Sequence, residues 1–208
     1  MTKKRLQELV AKNLQNNPNP TIDTETGLEA LQKMIVIAER NEVEFALIGG
    51  IAMHLYGSPR MTKDVDVIAT SLLPLKVQKR LGFGGARYSV KLGKRSVPVD
   101  WIVRDDTARK FYQLALQDAY KLPNGLPIVT PEWLVILKYI AGRMKDQQDA
   151  IHLLRQKGLV DRRLLRRKIV DTAGREYWAL VAAGLQCWYD LADGRIRTEK
   201  EDYEAGRM

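Results

Sequence analysis

The sequence predicts an α/β chain of the α+β kind: a small mixed β-sheet flanked by helices, followed by a C-terminal helical part. Three observations predict it. Short apolar runs at 43–48 and 126–129 have the length of strands rather than helices. Two further runs, 87–92 and 96–103, flank Gly93-Lys94 as the arms of a hairpin would. From Pro131 onward the apolar spacing turns helical and is broken chiefly at glycines.

Taken in order, residues 2–14 carry Leu6, Leu9, Val10 and Leu14 at helical spacing, and Asn16-Asn17-Pro18-Asn19-Pro20 ends that segment because proline cannot continue it. A helix over 27–40 places Leu28, Leu31, Ile35 and Ala38 on one face, with Thr26 and Glu29 spaced as a capping box. The 43–48 strand runs into Gly49-Gly50, and a short helix over 51–56 closes at Gly57. Residues 64–69 alternate carboxylates with valines as a second strand, and 72–81 is predicted helical. The hairpin follows, then a helix over 107–119 and the 126–129 strand. Thr130 caps a helix over 131–141 whose first turn holds Pro131. Helices over 145–156, 161–173 and 175–192 are parted by Gly158 and Gly174. The organisation expected is an N-terminal helical extension (1–25), a sheet-bearing core (26–130), a helical part packed on it (131–193) and a polar, flexible tail (194–208).

Composition narrows the class. Of 208 residues, 45% are hydrophobic and 28% charged, ordinary values for a globular protein. No apolar run approaches the ~20 residues of a membrane helix, and the basic N-terminus lacks a secretory signal's apolar centre. A single cysteine, Cys187, excludes an internal disulfide and a multi-thiolate zinc site, so a reducing cytoplasmic location is expected. The net charge of +9 favours a polyanionic partner, either nucleic acid or a nucleotide.

The chemistry gathers at Gly49-Gly50 and at Asp64-Val65-Asp66-Val67. Two residues apart on a strand, Asp64 and Asp66 face the same way, their β-carbons roughly 6–7 Å apart. Two such charges repel unless a cation offsets them, and hard oxygens suit Mg²⁺. Phosphoryl chemistry uses paired ions about 3.5–4 Å apart to clamp attacking and leaving oxygens. Asp100, a lone charge within Val97-Pro98-Val99-Asp100-Trp101-Ile102-Val103, is the candidate third carboxylate. Gly49 and Gly50 sit where strand turns to helix, a place suited to phosphate. Arg60, Thr62 and Lys63 lead into the acid pair, positioned to contact a triphosphate or to cap the loop. His54 and His152 have no neighbouring histidine, and the tryptophans sit in helices where packing is the expected role.

Together these residues resemble the DNA polymerase β-like nucleotidyltransferase superfamily. The forms Leu47-Ile48-Gly49-Gly50-Ile51-Ala52 and Arg60-Met61-Thr62-Lys63-Asp64-Val65-Asp66-Val67 are similar to its AbiEii-type branch, which includes toxin halves of toxin–antitoxin and abortive-infection pairs. The segments 130–138 and 143–149 fit as well, so the resemblance covers about 44–154. It implies a nucleotidyltransferase core, two Mg²⁺ ions (or Mn²⁺) on Asp64, Asp66 and Asp100, and a nucleoside triphosphate on the glycine turn. It implies that Lys138 reaches the triphosphate, while Asp149 or Asp146 positions it or the acceptor. Gly50 stands where many small-molecule members carry serine, which weakens an antibiotic-modifying reading. Arg155, Lys157, Arg162, Arg163, Arg166, Arg167, Lys168 and Arg175 form either a solvated face or an RNA track. The acceptor stays open at this level: RNA or a tRNA end with an antitoxin partner, a protein or small molecule, or none if the chain is a binding module.

Overall fold

The computed structural model describes residues 21–58 and 61–196. The helix expected over 2–14, Arg60 and residues 197–208 of the tail lie outside the described residues. The elements are α1 (Thr24–Arg40), β1 (Phe45–Ile48), α2 (Gly49–Leu55), β2 (Val65–Ala69), β3 (Lys79–Arg80), β4 (Ala86–Leu92), β5 (Arg95–Ile102), α3 (Arg109–Gln117), β6 (Tyr120–Lys121), β7 (Pro127–Ile128), α4 (Pro131–Ala141), α5 (Met144–Arg155) and α6 (Arg162–Ala192). The strands form one mixed sheet in the order β3-β4-β5-β2-β1-β7-β6. Among the described residues only β2–β5 and β1–β7 pair in parallel.

The α/β class and the helical C-terminal run agree with expectation, and the exceptions have local causes. α1 begins at Thr24 because Asp23, not Thr26, is its cap. The Asp23 carboxylate accepts from the Thr26 backbone N–H at 2.7 Å and from its hydroxyl at 3.0 Å. A carboxylate at that position satisfies orphan donors and complements the helix dipole.

Residues 72–81 form no helix. Pro74 has no N–H to donate and disfavours helical backbone at Leu73. Leu73 N–H instead donates to the Tyr88 hydroxyl at 3.1 Å, and Gln78 N–H donates to the Arg87 carbonyl at 2.9 Å. The segment thereby becomes an edge to β4, ending in the two-residue β3. β6 is equally short and shows no period of its own. The helices expected over 161–173 and 175–192 are present as the two parts of α6, parted as expected by a kink at Gly174, whose φ 87°, ψ 171° is non-helical.

The hairpin places Leu92 opposite Arg95, so Gly93-Lys94 is a two-residue turn. Along β2 and β5, Val65, Val67, Val99 and Trp101 are fully buried on one face of the sheet. α1 and α2 close over it, with Gly27 against Ile51 and Val65. The intervening residues, Asp66 and Asp100, therefore project from the other face. There α4 supplies the opposing wall through Leu134, Leu137 and Lys138. Glu132 ties α4 to the start of α6 by accepting from the Asp161 N–H at 2.9 Å. Among the described residues no helix is long and apolar enough to cross a membrane.

Candidate active site

The site begins where β1 ends. Ile48 lies opposite Asp66, and the next residue, Gly49, takes φ +65°. A Cβ on Gly49 would fall 1.9 Å from Asp66 Oδ2, and one on Gly50 would fall 2.3 Å from Thr62 Oγ1. Glycine is required at both places by side chains of the protein itself. The Gly50 N–H, expected to meet phosphate, lies close enough to Asp66 to oppose the rise of its carboxyl. Gly49 borders the cavity, while Gly50 is buried and does not. Thr62 is buried, and its hydroxyl donates to the Asp64 carbonyl at 3.1 Å. Its own carbonyl accepts from the Ile22 N–H, so Thr62 caps the loop that delivers the acid pair.

Asp66 and Asp100 are register partners on the parallel pair β2–β5, and Asp64 directly precedes β2. All three border one cavity of about 610 Å³, within the usual range for a ligand pocket. Arg87 of β4 joins them as the register partner of Asp100. Its Nε and one terminal nitrogen donate to the two Asp100 oxygens at 2.5 and 2.8 Å. That same nitrogen reaches Asp64 Oδ2 at 3.0 Å. Arg87 was not singled out from sequence, although a two-residue turn at 93–94 already implies that 87 opposes 100.

Burial pushes the Asp66 carboxyl up to about 6, with repulsion from Asp64 and then Asp100 adding to it. Three mutually repelling oxygen donors with one guanidinium between two of them fit a hard divalent cation in chemistry. Arg87 bonds Asp64 and Asp100, and among the described residues no acid, imidazole or thiol cluster stands ready-arranged as a ligand set. A raised carboxyl binds more protons folded than unfolded, so stability falls as pH rises through the window between the two values. With a chelator present, unfolding free energy should therefore decline between the ordinary value of 3.8 and about 6. Asp66→Asn should flatten that slope and gain about 2 kcal/mol at pH 8. Urea denaturation across that range measures both effects, and an unchanged slope would contradict the assignment.

The rest of the cavity is basic and apolar. Lys63, Arg87, Arg104, Lys138, Arg143 and Lys145 border it, against four acids: Asp64, Asp66, Asp100 and Asp146. Lys138 is buried, and its Nζ donates to Asp146 at 2.8 Å and Asp149 at 2.6 Å. Asp149 itself does not border the cavity, and its contact with the site runs through Lys138. Arg143 also pairs with Asp146 at 2.5 Å, so the segment 143–149 builds the wall around that lysine. Arg104, ion-paired to Asp106, stacks 5.3 Å from the Phe83 ring centre and 4.9 Å from that of Tyr112. Both rings, with Arg104 over them, belong to residues that border the cavity. His54 contacts Thr24 at 2.9 Å and His152 contacts the Gly57 carbonyl at 3.2 Å, both away from the cavity. Trp133 is buried, and its indole N–H donates to Asp118.

No family model matches this chain, and neither does any curated protein. Two solved structures are similar in fold. One is an antigenic nucleotidyltransferase-like protein from Paracoccidioides brasiliensis, at 16% identity and TM-score 0.46, covering 80% of this chain and 95% of that one. The other is the antibiotic-resistance factor ANT(2'')-Ia, at 13% identity and TM-score 0.38, covering 83% and 98% respectively.

Proposed function

We propose that the chain is a nucleotidyltransferase that moves a nucleoside monophosphate from a nucleoside triphosphate to an acceptor hydroxyl. The observation that carries this reading is the register pairing of Asp66 with Asp100, beside Asp64, in a cavity otherwise ringed by cations. A divalent cation, Mg²⁺ or Mn²⁺, held by Asp64, Asp66 and Asp100 would offset phosphate charge and favour ionisation of the acceptor hydroxyl.

The acceptor oxygen forms a bond to the α-phosphorus as the bond to the pyrophosphate oxygen breaks, and Asp100 accepts the hydroxyl proton. Lys63, Arg143 and Lys145 draw in the triphosphate, and Lys138 fixes charge beside Asp66. Phe83 and Tyr112 offer the base a stacking edge, while Leu134, Leu137 and Ile140 keep water from the apolar wall.

For the acceptor we favour RNA, such as a tRNA end, consistent with a toxin-type enzyme and an antitoxin partner. On α6, Leu165 and Ile169 turn inward while Arg163, Arg166 and Arg167 are exposed, a basic face that suits a phosphate backbone. A protein hydroxyl or a small molecule is the second enzymatic reading, favoured by nothing comparable on the surface. Labelled nucleoside triphosphates with Mg²⁺, total RNA and lysate decide among them by where label appears. Label in RNA supports the favoured acceptor, and label in protein or small molecules moves it. Absence of label together with absence of metal-dependent nucleotide binding refutes the enzymatic reading and leaves a binding module.

A further inference from the structure

We propose that Arg87 is the protein's own counter-cation for the carboxylate cluster, which a divalent cation must displace, and that the released guanidinium then meets the incoming polyanion. The identity of that polyanion as a nucleotide rests on the proposed function; the displacement itself does not. Three observations carry it.

First, Arg87 takes the oxygens a metal would need. Its fork engages both oxygens of Asp100 and one of Asp64, at 2.5 to 3.0 Å. A bidentate guanidinium matches a carboxylate in plane and occupies the directions along which a small cation would approach. A divalent ion at its usual ~2.1 Å from the same oxygens would stand against a positive group at close range. Both cannot hold that pair of aspartates at once.

Second, the placement is built into the hairpin. Arg87 and Asp100 are opposite one another across β4–β5, so the two-residue turn at Gly93-Lys94 delivers the guanidinium to this carboxylate in every molecule. Cross-strand opposite charges stabilise a sheet modestly, which suits a contact that must break in use.

Third, Arg87 has somewhere to go. Its side chain keeps a quarter of its surface exposed, and it borders the cavity together with Lys63, Lys145 and Arg143. Lys138 differs: it is held by two buried aspartates and stays in place. Displaced from Asp64 and Asp100, the guanidinium enters a space already lined by cations, where an anion would be its natural partner. Cation and polyanion then reinforce each other's binding, because each removes a cost the other would meet alone.

The test is Mn²⁺ binding to the nucleotide-free full chain, followed by calorimetry and by the electron-spin signal of free Mn²⁺. Arg87→Gln should bind Mn²⁺ at least tenfold more tightly than wild type, and Mn²⁺ should raise its Tm by more. Arg87→Lys, which keeps a charge without the fork, should fall between the two and serves as the decisive variant if the glutamine form does not fold. The KM for nucleotide should rise in Arg87→Gln, since the released partner is missing. A residue that merely props the carboxylates would give equal or weaker Mn²⁺ binding on its removal, and that result overturns the proposal. The two failures are separable. If wild type labels an acceptor but neither variant binds Mn²⁺ more tightly, Arg87 is no counter-cation and the nucleotidyltransferase reading stands. If the variants bind Mn²⁺ more tightly and no acceptor is ever labelled, displacement stands and the enzymatic reading fails.

Discussion

Asp100→Asn is expected to reduce nucleotide transfer about a thousandfold while leaving nucleoside triphosphate binding within a few-fold of wild type. The asymmetry follows from where Asp100 stands. It lies toward the end of β5, beside Asp66 and opposite Arg87, and it is almost fully buried. The cations expected to draw in the phosphates, Lys63, Arg143 and Lys145, come from the β2 approach and from the start of α5, on other parts of the cavity wall. Asparagine keeps the shape and can still accept one hydrogen bond from Arg87, so the hairpin should hold. It cannot take a proton from an acceptor hydroxyl, and it carries no charge. Removing a general base costs on the order of 10²–10⁴ in rate, and loss of the charge that organises the reacting oxygens adds to it. Single-turnover transfer alongside equilibrium nucleotide binding measures the two separately. Unimpaired transfer by the variant would remove Asp100 from the chemistry. Equal losses in binding and transfer would recast it as part of the nucleotide seat.

How far this site could be read without coordinates depends on which distances along the chain are local. Asp64 and Asp66 are legible because a two-residue period needs only its own strand, and the valines between them announce which side is buried. Asp100 is legible for the same reason, as a charge in an apolar strand. Its adjacency to Asp66 is a matter of strand order, with β5 pairing β2 across an intervening hairpin, and no local pattern encodes that.

At Gly49 and Gly50 the need for glycine comes from neighbours that no local pattern names. The two glycines make room for Asp66 and Thr62, partners that lie a dozen or more residues away in sequence. Arg87 was reachable by counting back from the turn and was hidden only because β4 alternates polar and apolar residues throughout. The failure at 72–81 is of a different kind. Leu72, Leu75 and Leu81 pack against the core without a helix, and the Tyr88 hydroxyl holds the Leu73 backbone beside the sheet. Pro74 outweighed the spacing. Asp149 shows the remaining limit. Its position four residues from Lys145 says nothing about Lys138 in the preceding helix, which is the residue it holds.

That buried triad supplies the largest expected change in stability. Lys138→Met should lower the unfolding free energy by about 3–5 kcal/mol, measured by urea denaturation at pH 7.5. Lys138, Asp146 and Asp149 have side-chain exposures of 8%, 0% and 3%, so water offers none of them much relief. Removing the ammonium takes a buried cation away from both carboxylates, while Asp146 keeps its ion pair with Arg143. Methionine fills the volume but leaves the charge, which is why truncating one member should cost more than the triad contributes as a whole. Adding Asp149→Asn to the lysine variant should therefore restore part of the loss, a non-additivity that a double-mutant cycle reads directly.

The pH dependence gives an independent sign. Burial would raise the Asp146 carboxyl, but hydrogen bonds from Arg143 and Lys138 outweigh it and hold the group below its ordinary 3.8. In the wild type that contribution is present above the unfolded value and is lost as pH falls through the lowered one. Without Lys138 burial gains ground, the Asp146 carboxyl protonates sooner, and the variant's deficit should shrink as the pH is lowered toward about 4. A deficit that stayed constant with pH would mean that lost packing, not stranded charge, is what Lys138 prevents. Because α4 and α5 meet across this triad, the same variant should also lose transfer. The wall that closes the cavity opposite Asp66 is held in place by the charges that Lys138 neutralises.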